Sequence, residues 1–593
     1  MLPYFRPYRA GMFWGLILVV VAQGFSLANP YLLKLAIDKL AVVGTTSGDI
    51  GLLALLMVGA AVLGGAARYG MRELLNGISR RIEVDLRNDF FQHILAMDAE
   101  FFGANRTGDL MARATNDTQA VRQAAGPAIM YAVNTVVGFV LALILMLMIS
   151  PSLTLWALVP LVLLPPLVLR FGKMIHLRFE DIQQQYSTMS TMVQESLTGM
   201  RIVRAYNQEA DQAEQFSVHN EEYRARNMSL AQASAAFHPL MGLMAGMGMV
   251  IVLWVGGQQV MNEVITIGDY VAFFFYLALL IWPMIALGWV VSLFQRGAAS
   301  MARLNTILER KPTIVGPALT GIVGVPVMAI RGEVEFRDVS FTYPGTERTV
   351  LDGISFRVEP GTTVAIVGPT GSGKSTLVSL IPRLYDPTSG AVLIDGVPAT
   401  ELDPAALRAV MGVVPQDPFL FSESLAGNIG LGIDGADEGD GDDASGVDHR
   451  VRKAAESADL HDSIQGFPKG YDTLLGERGI NLSGGQKQRA TLARALARDP
   501  RLLILDDALS AVDTRTEARI LGELRTVMAD RTAFVVSHRV SAVMGADLIL
   551  VLEDGRLVER GRHDELIAAD GVYARLLRRQ LLEDEVEGGV VTG

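Results

Sequence analysis

Val364-Ala-Ile-Val367, Gly368-Pro-Thr-Gly-Ser-Gly-Lys374-Ser375 and Thr376-Leu-Val-Ser-Leu380 follow one another without a break. They read as an apolar strand, a glycine-rich loop and the start of a helix, the context that a phosphate-binding loop requires. Backbone amides of Gly368, Thr370, Gly371, Ser372 and Gly373, and the helix start at Lys374, Ser375 and Thr376, meet the phosphates. Lys374 reaches the β- and γ-phosphates, and Ser375 supplies a hydroxyl to Mg2+. A second stretch completes this reading. Arg501-Leu-Leu-Ile-Leu-Asp506-Asp507 is a buried strand closing on two acids. Asp506 holds Mg2+, and Asp507 stands where a general base for water belongs. Asp507 is one methylene shorter than Glu, so ATP binds here while the site is a poor one for cleaving it.

Outward from this site the chain divides in two. It has 593 residues, half of them hydrophobic and 19% charged, against about 25% charged in soluble domains. The deficit lies in the N-terminal half. No charge falls between Arg9 and Lys34, or between Arg122 and Arg170, and Ser150-Pro151-Ser152 breaks the latter stretch into two. Further uncharged runs are Gly51 to Ala67, Asn227 to Asn262 and Tyr270 to Gln295. Each supplies roughly the 20 apolar residues that cross a bilayer. The expectation is six spans, near 13–33, 50–70, 128–149, 153–172, 239–261 and 268–293. Segments 72–122 and 170–226 are rich in Arg, whereas the loops near 43–49, 150–152 and 262–267 have neither Lys nor Arg. By the positive-inside rule both long segments and both termini are cytoplasmic, in a multi-pass protein of the cell (inner) membrane. There is no signal-peptide cleavage pattern. Leu2 to Tyr8 reads as an interfacial helix with aromatic anchors. Chain breaks are expected at Asn105-Arg106-Thr107, between Gly103 and Gly108, and around Ala205-Tyr206-Asn207.

The chain has no Cys, which excludes disulfide and thiol chemistry, and its net charge of -12 gives no support for a nucleic-acid partner. The expected fold is an α-helical six-span transmembrane domain (1–310), a linker (311–331), an α/β P-loop nucleotide-binding domain (332–580) and an acidic, disordered tail (581–593). Segment 434–448 is an acidic, Gly-rich insertion that lacks the closing Glu of a Ca2+ loop.

Asn481-Leu482-Ser483-Gly484-Gly485-Gln486 precedes the Asp506 strand and opens a second helix at an anion-binding start. One ATP does not need two such starts from one chain. Two chains facing head to tail would use both. With this stretch in place, the chain resembles a half-transporter of the ATP-binding cassette exporter family over nearly its whole length. The resemblance implies further roles. Tyr343 in Phe341-Thr-Tyr-Pro stacks on adenine. Gln416 in Val414-Pro-Gln-Asp contacts Mg2+ and the attacking water. Glu477-Arg478-Gly479 touches the cytoplasmic loops. Asp513 in Ser510-Ala-Val-Asp513 crosses to the opposite ATP site, and His538 contacts the γ-phosphate. The turns near Thr115–Thr118 and Ala205–Asp211 match the coupling helices. Taken alone, Tyr343 would be a strand aromatic and His538 an ordinary surface or core histidine; their order and spacing give them these roles.

The family usually has Glu at the position of Asp507, and some of its heterodimers carry one degenerate ATP site. The intact Ser483, Gly484, Gly485 and Gln486 are therefore expected to complete the ATP site of a second half-transporter chain that retains Glu. The alternatives are a homodimer that hydrolyses slowly and an ATP-gated channel or sensor. Met241, Met244, Met247 and Met249 in span five and Phe273, Phe274, Phe275, Tyr276 and Trp282 in span six suit a hydrophobic or lipid-like cargo. Ordinary helix packing and lipid contact is the competing reading of the same residues.

Overall fold

The computed structural model describes residues 2–42, 44–316, 330–433, 448–476, 479, 482–510, 514–539 and 543–589. The chain forms two compact units: Met1–Leu95 with Thr107–Arg310, and Ala96–Arg106 with Lys311–Gly593. Asp513, Glu477, Arg478 and Asn481, with 317–329 of the linker and 434–447 of the acidic insertion, lie outside the described residues.

The first unit is helical. Among the described residues, six helices are long and apolar enough to cross a membrane: Leu2–Leu40, Ser47–Leu95, Thr107–Ile149, Pro151–Thr198, Glu209–Met261 and Ile267–Leu308. Each expected span lies inside one of them, and most helices run far past the ~20 residues a bilayer needs. Ser150 turns the chain with an extended backbone, and its hydroxyl accepts from the Leu153 amide to cap the helix that Pro151 opens. The break at 105–107 and the turn at Tyr206 and Asn207 are both present. Leu2 to Tyr8 is one short α-turn followed by a 3-10 turn, tied to helix Ser47–Leu95 by Tyr4–Asp89 (2.9 Å) and Tyr8–Asp85 (2.8 Å) hydrogen bonds. Small residues bring helices together: a Cβ on Gly297 would lie 2.3 Å from that of Ala124. Of the span-six aromatics, Phe273 and Tyr276 are buried in the core, and the Tyr276 hydroxyl donates to the Leu27 carbonyl at 3.2 Å. Phe275 and Trp282 are exposed.

Two expectations fail here. Thr115–Thr118 is not a turn. It lies in the continuous helix Thr107–Ile149, which widens to π geometry over Arg113–Asp117. The chain reverses earlier, through 96–106, where Asp98 caps the short helix Ala99–Ala104. Asp98 also accepts from the amide (2.9 Å) and hydroxyl (2.5 Å) of Thr313. Nor does disorder begin at 581: helix Val572–Gly589 carries the chain through most of the acidic stretch.

Among the described residues the second unit has two sheets. Strands β1 (Val334–Thr342), β2 (Thr349–Val358), β4 (Ser389–Ile394) and β5 (Val397–Pro398) form an antiparallel sheet in the order β2-β1-β4-β5. Strands β3 (Thr363–Val367), β6 (Met411–Val414), β7 (Leu502–Asp506), β8 (Thr532–Val536), β9 (Leu548–Glu553) and β10 (Arg556–Gly561) form the other, in the order β10-β9-β3-β8-β7-β6. All its pairings are parallel except β9–β10. Strands β3 and β7 have almost no polar residue because helices and the other sheet cover both faces. The carboxyl ends of β3, β8, β7 and β6 therefore share one edge, where a parallel sheet builds its ligand sites.

Candidate functional site

The loop after β3 is held between β2 and β9. Gly368 and Gly373 have φ of +153° and +99°. A Cβ on Gly368 would sit 2.1 Å from the Leu552 carbonyl oxygen, and one on Gly373 would sit 2.8 Å from Leu351 Cδ2. Only glycine fits either place. Gly373 ends the loop and Lys374–Leu380 starts as a helix beneath it. Thr370 and Gly371 form the loop's exposed crest, while Ser372 and Lys374 are each 5% exposed. The Lys374 ammonium donates to the carbonyls of Gly368 (2.9 Å) and Pro369 (2.8 Å). Burial holds its pKa below the usual lysine value, against the pull of Asp507 and Asp506. The Ser372 hydroxyl is buried and has no hydrogen-bond partner among the described residues. A buried orphan hydroxyl in a cradle of backbone amides is a place made for a polar ligand.

Asp506 ends β7, and its Oδ1 accepts from the Ser375 hydroxyl at 2.9 Å. Burial pushes the Asp506 carboxyl above the usual carboxylate range; Asp507 adds to this, while Ser375 and Lys374 oppose it. The pair fits Mg2+, whose ~2.1 Å bonds place neighbouring octahedral ligands about 3 Å apart.

Asp507 has a left-handed backbone, φ +49°, and its amide donates to the Val536 carbonyl of the adjacent strand at 3.0 Å. Its Oδ2 is 3.8 Å from His538 Nε2, on the loop after β8. That is about 0.6 Å beyond the ~3.2 Å reach of a hydrogen bond. A cavity of about 140 Å³ opens beside Asp507, Ser510 and His538. Gln416 is exposed on the loop after β6, at the same sheet edge. Tyr343, just beyond β1, shares a 3.0 Å hydrogen bond with the Thr376 hydroxyl and packs edge-on against Phe341 and Tyr385. The sheet thus gathers the phosphate loop, both acids, Gln416 and His538, and β1 brings Tyr343 to Thr376.

Ser483, Gly484, Gly485 and Gln486 stand apart from this group. They start helix Gly484–Ala497 with a capping box: the Ser483 amide donates to Gln486 Oε1 (2.9 Å) and the Gln486 amide to Ser483 Oγ (3.3 Å). Among the described residues no hydrogen bond joins them to loop 368–375. One link between the two regions was not legible in the sequence. Buried Gln488 donates to Ser510 Oγ at 2.9 Å, tying the second helix to the turn that follows Asp507. A glutamine three residues from a glycine pair carries no signal of such a bond.

Residues 12–284 match the family described as ABC transporter transmembrane region, and residues 351–510 the one described as ABC transporter. The chain belongs to the ABC exporters. It is 37% identical to the multidrug resistance-like ATP-binding protein MdlA of Escherichia coli (strain K12), over 98% of this chain and 96% of that protein. It is 34% identical to the ATP-dependent lipid A-core flippase of Burkholderia orbicola (strain AU 1054), over 98% and 95% respectively. A solved structure of a bacterial Atm1-family ABC exporter with ATP bound superimposes with a TM-score of 0.78 at 28% identity, covering 97% of this chain and 99% of that one. An ABC exporter is an ATP-hydrolysing, multi-pass membrane transporter, and the site at the end of β3 is that of its ATPase domain.

Proposed function

We propose that this chain is one half of an asymmetric ABC exporter, and that it moves hydrophobic or amphipathic molecules, drugs or lipids, across the cytoplasmic membrane by alternating access. The observation that carries this reading is the contrast within one chain. The Ser483–Gln486 start is complete and capped, whereas Asp507 stops 3.8 Å from His538. A base misplaced by ~1 Å can lose about 100-fold in rate. The phosphate loop with Tyr343 binds ATP in this chain's own, degenerate site. Ser483, Gly484, Gly485 and Gln486 bind the γ-phosphate of ATP held by a partner chain, where most hydrolysis takes place.

In the chain's own site Lys374 gives up two loop carbonyls to reach phosphate oxygens. Ser375, Asp506 and Gln416 would hold Mg2+, which neutralises charge on the phosphates when bound. Asp507 and His538 flank the water and the γ-phosphate. Asp513, outside the described residues, would serve the opposite site by its place in the motif order. The termini and the nucleotide-binding domain lie in the cytoplasm, as the Arg-rich segments imply. Since Thr115–Thr118 is helical, the reversal at 96–106 takes its place as the first coupling helix, with Ala205–Asp211 as the second.

Co-purification tests the assembly. The chain should come out of its native membrane with a second half-transporter carrying Glu at the position of Asp507 and an altered signature. A stable homodimer hydrolysing at the rate of Glu-bearing relatives would overturn the asymmetry. ATP-dependent uptake of a hydrophobic dye into inverted vesicles tests transport. Passive flux down a gradient on ATP addition would instead make the assembly a gated channel.

A further inference from the structure

Helix Ser47–Leu95 carries Arg68 and Arg72 one turn apart. A cavity of about 200 Å³ inside the helical unit joins them to Gln23 on the first long helix, Tyr131 and Asn134 on helix Thr107–Ile149, and Trp282 on helix Ile267–Leu308. Two amides of this lining are bonded to each other, Gln23 Nε2 donating to Asn134 Oδ1 at 2.6 Å. Among the described residues the lining holds two cations and no acid. Arg68 donates from Nε to the Gly64 carbonyl of its own helix at 3.3 Å, and among the described residues neither arginine pairs with a carboxylate.

The depth of the cavity is fixed by counting along the helices. Arg68 is 21 residues from Ser47, Gln23 is 17 from Leu40, Asn134 is 15 from Ile149 and Trp282 is 15 from Ile267. At 1.5 Å per residue, Arg68, Gln23, Asn134 and Trp282 lie about 22–32 Å from the short-loop ends of their helices, and Arg72, 25 residues from Ser47, lies about 38 Å from its end. The cavity thus straddles the far boundary of a hydrocarbon core about 30 Å thick, with Arg68 at its edge and Arg72 past it. Both arginines are exposed in the single chain, and for Arg68, at the edge of the core, a guanidinium is costly unless it serves a ligand or a path. Arginines that only snorkelled to the head-group layer would need no cavity walled by amides and aromatics from three other helices.

We propose that this cavity recognises the acidic head group of an anionic amphiphile, a phosphate, sulfonate or carboxylate on an apolar body. The proposal rests on the exporter reading and names the chemistry of its substrate. Two guanidinium forks match such oxyanions bidentately. Gln23 and Asn134 can donate to the remaining oxygens, and Tyr131 and Trp282 cover the start of the apolar body at the level where amphipathic rings settle.

The test is equilibrium binding without nucleotide. The full chain, with whatever chain co-purifies, is placed in phosphatidylcholine nanodiscs and titrated with dodecyl phosphate or dodecyltrimethylammonium, read by tryptophan emission. The phosphate should bind at least about tenfold tighter than the ammonium. The doubly substituted Arg68→Gln/Arg72→Gln chain should lose that preference, and Arg68→Lys/Arg72→Lys should keep part of it. Equal affinity of the unaltered protein for the two probes, or a preference that survives in the Gln variant, overturns the proposal. If the Gln variant does not fold, the preference of the unaltered protein and its retention in the Lys variant decide. Competition by phosphatidylglycerol in the nanodisc marks bilayer lipid as a source of the ligand; absence of competition restricts the site to free amphiphiles. Because no ATP is used, failure here removes the site alone, whereas binding without ATP-dependent uptake would remove the exporter reading.

Discussion

At the scale of the residue, the two neighbouring aspartates do different work because of where β7 ends. Asp506 is still on the strand, bonded to Ser375 and surrounded by buried groups. Its raised pKa means that the ionised form is penalised in the folded, nucleotide-free domain. The penalty is absent below the unfolded pKa, grows as pH rises through that value, and is fully present above the folded pKa. Asp506→Asn should therefore stabilise the nucleotide-free protein at pH 7 and change it little near pH 4, in thermal melts. The same variant should abolish the stabilisation given by ATP with Mg2+. Asp507 has left the strand in a left-handed conformation that Asp tolerates better than most side chains. Asp507→Glu should raise hydrolysis at this site by roughly 10- to 100-fold, measured in a complex whose partner site is silenced. Motif order alone singled out the residues that the sheet edge brings together here. The 3.8 Å gap to His538 and the backbone of Asp507 were not, since both depend on how β7 and β8 end side by side.

At the scale of the element, the helix ends that sequence reasoning found were those with a local cause. Ser150-Pro151 caps and opens a helix, and Asn105-Arg106 sits between glycines. Thr115-Asn-Asp-Thr118 has turn-forming residues too, yet remains helical. The Thr118 hydroxyl donates to the helix carbonyls of Ala114 (2.7 Å) and Thr115 (3.0 Å), and Asp117 pairs with Arg303 of another helix. Thr118 is satisfied by carbonyls of its own helix and Asp117 by a tertiary partner, so neither side chain is left to cap a turn. The acidic tail was misread for a related reason: its Glu and Leu residues are good helix formers, and charge alone does not break a helix. Helix packing gives a stability prediction. Gly297→Ala forces its Cβ onto Ala124 and should cost about 1–3 kcal/mol, seen as a lower melting temperature. The capped helix start gives a kinetic one. Ser483→Arg should reduce steady-state ATPase of the assembled exporter on the order of 100-fold, by removing donors aimed at the partner's nucleotide.

At the scale of the whole molecule, the proposed asymmetry gives one chain two unequal parts: a phosphate loop that would hold ATP and a signature that would help another chain cleave it. The two-unit architecture and the six long helices were legible because hydropathy and Arg distribution are long-range averages that survive local error. The Arg68 and Arg72 cavity was not, because its walls come from four helices whose register no periodicity reveals. The most direct test of the central claim is steady-state ATP hydrolysis by the exporter as it assembles, with Asp507→Asn introduced in this chain. If turnover belongs to the partner's phosphate loop, the rate should stay within about threefold of the unaltered complex. If Asp507 is itself the working base, the rate should fall by about 100-fold or more, and the asymmetric account would be wrong.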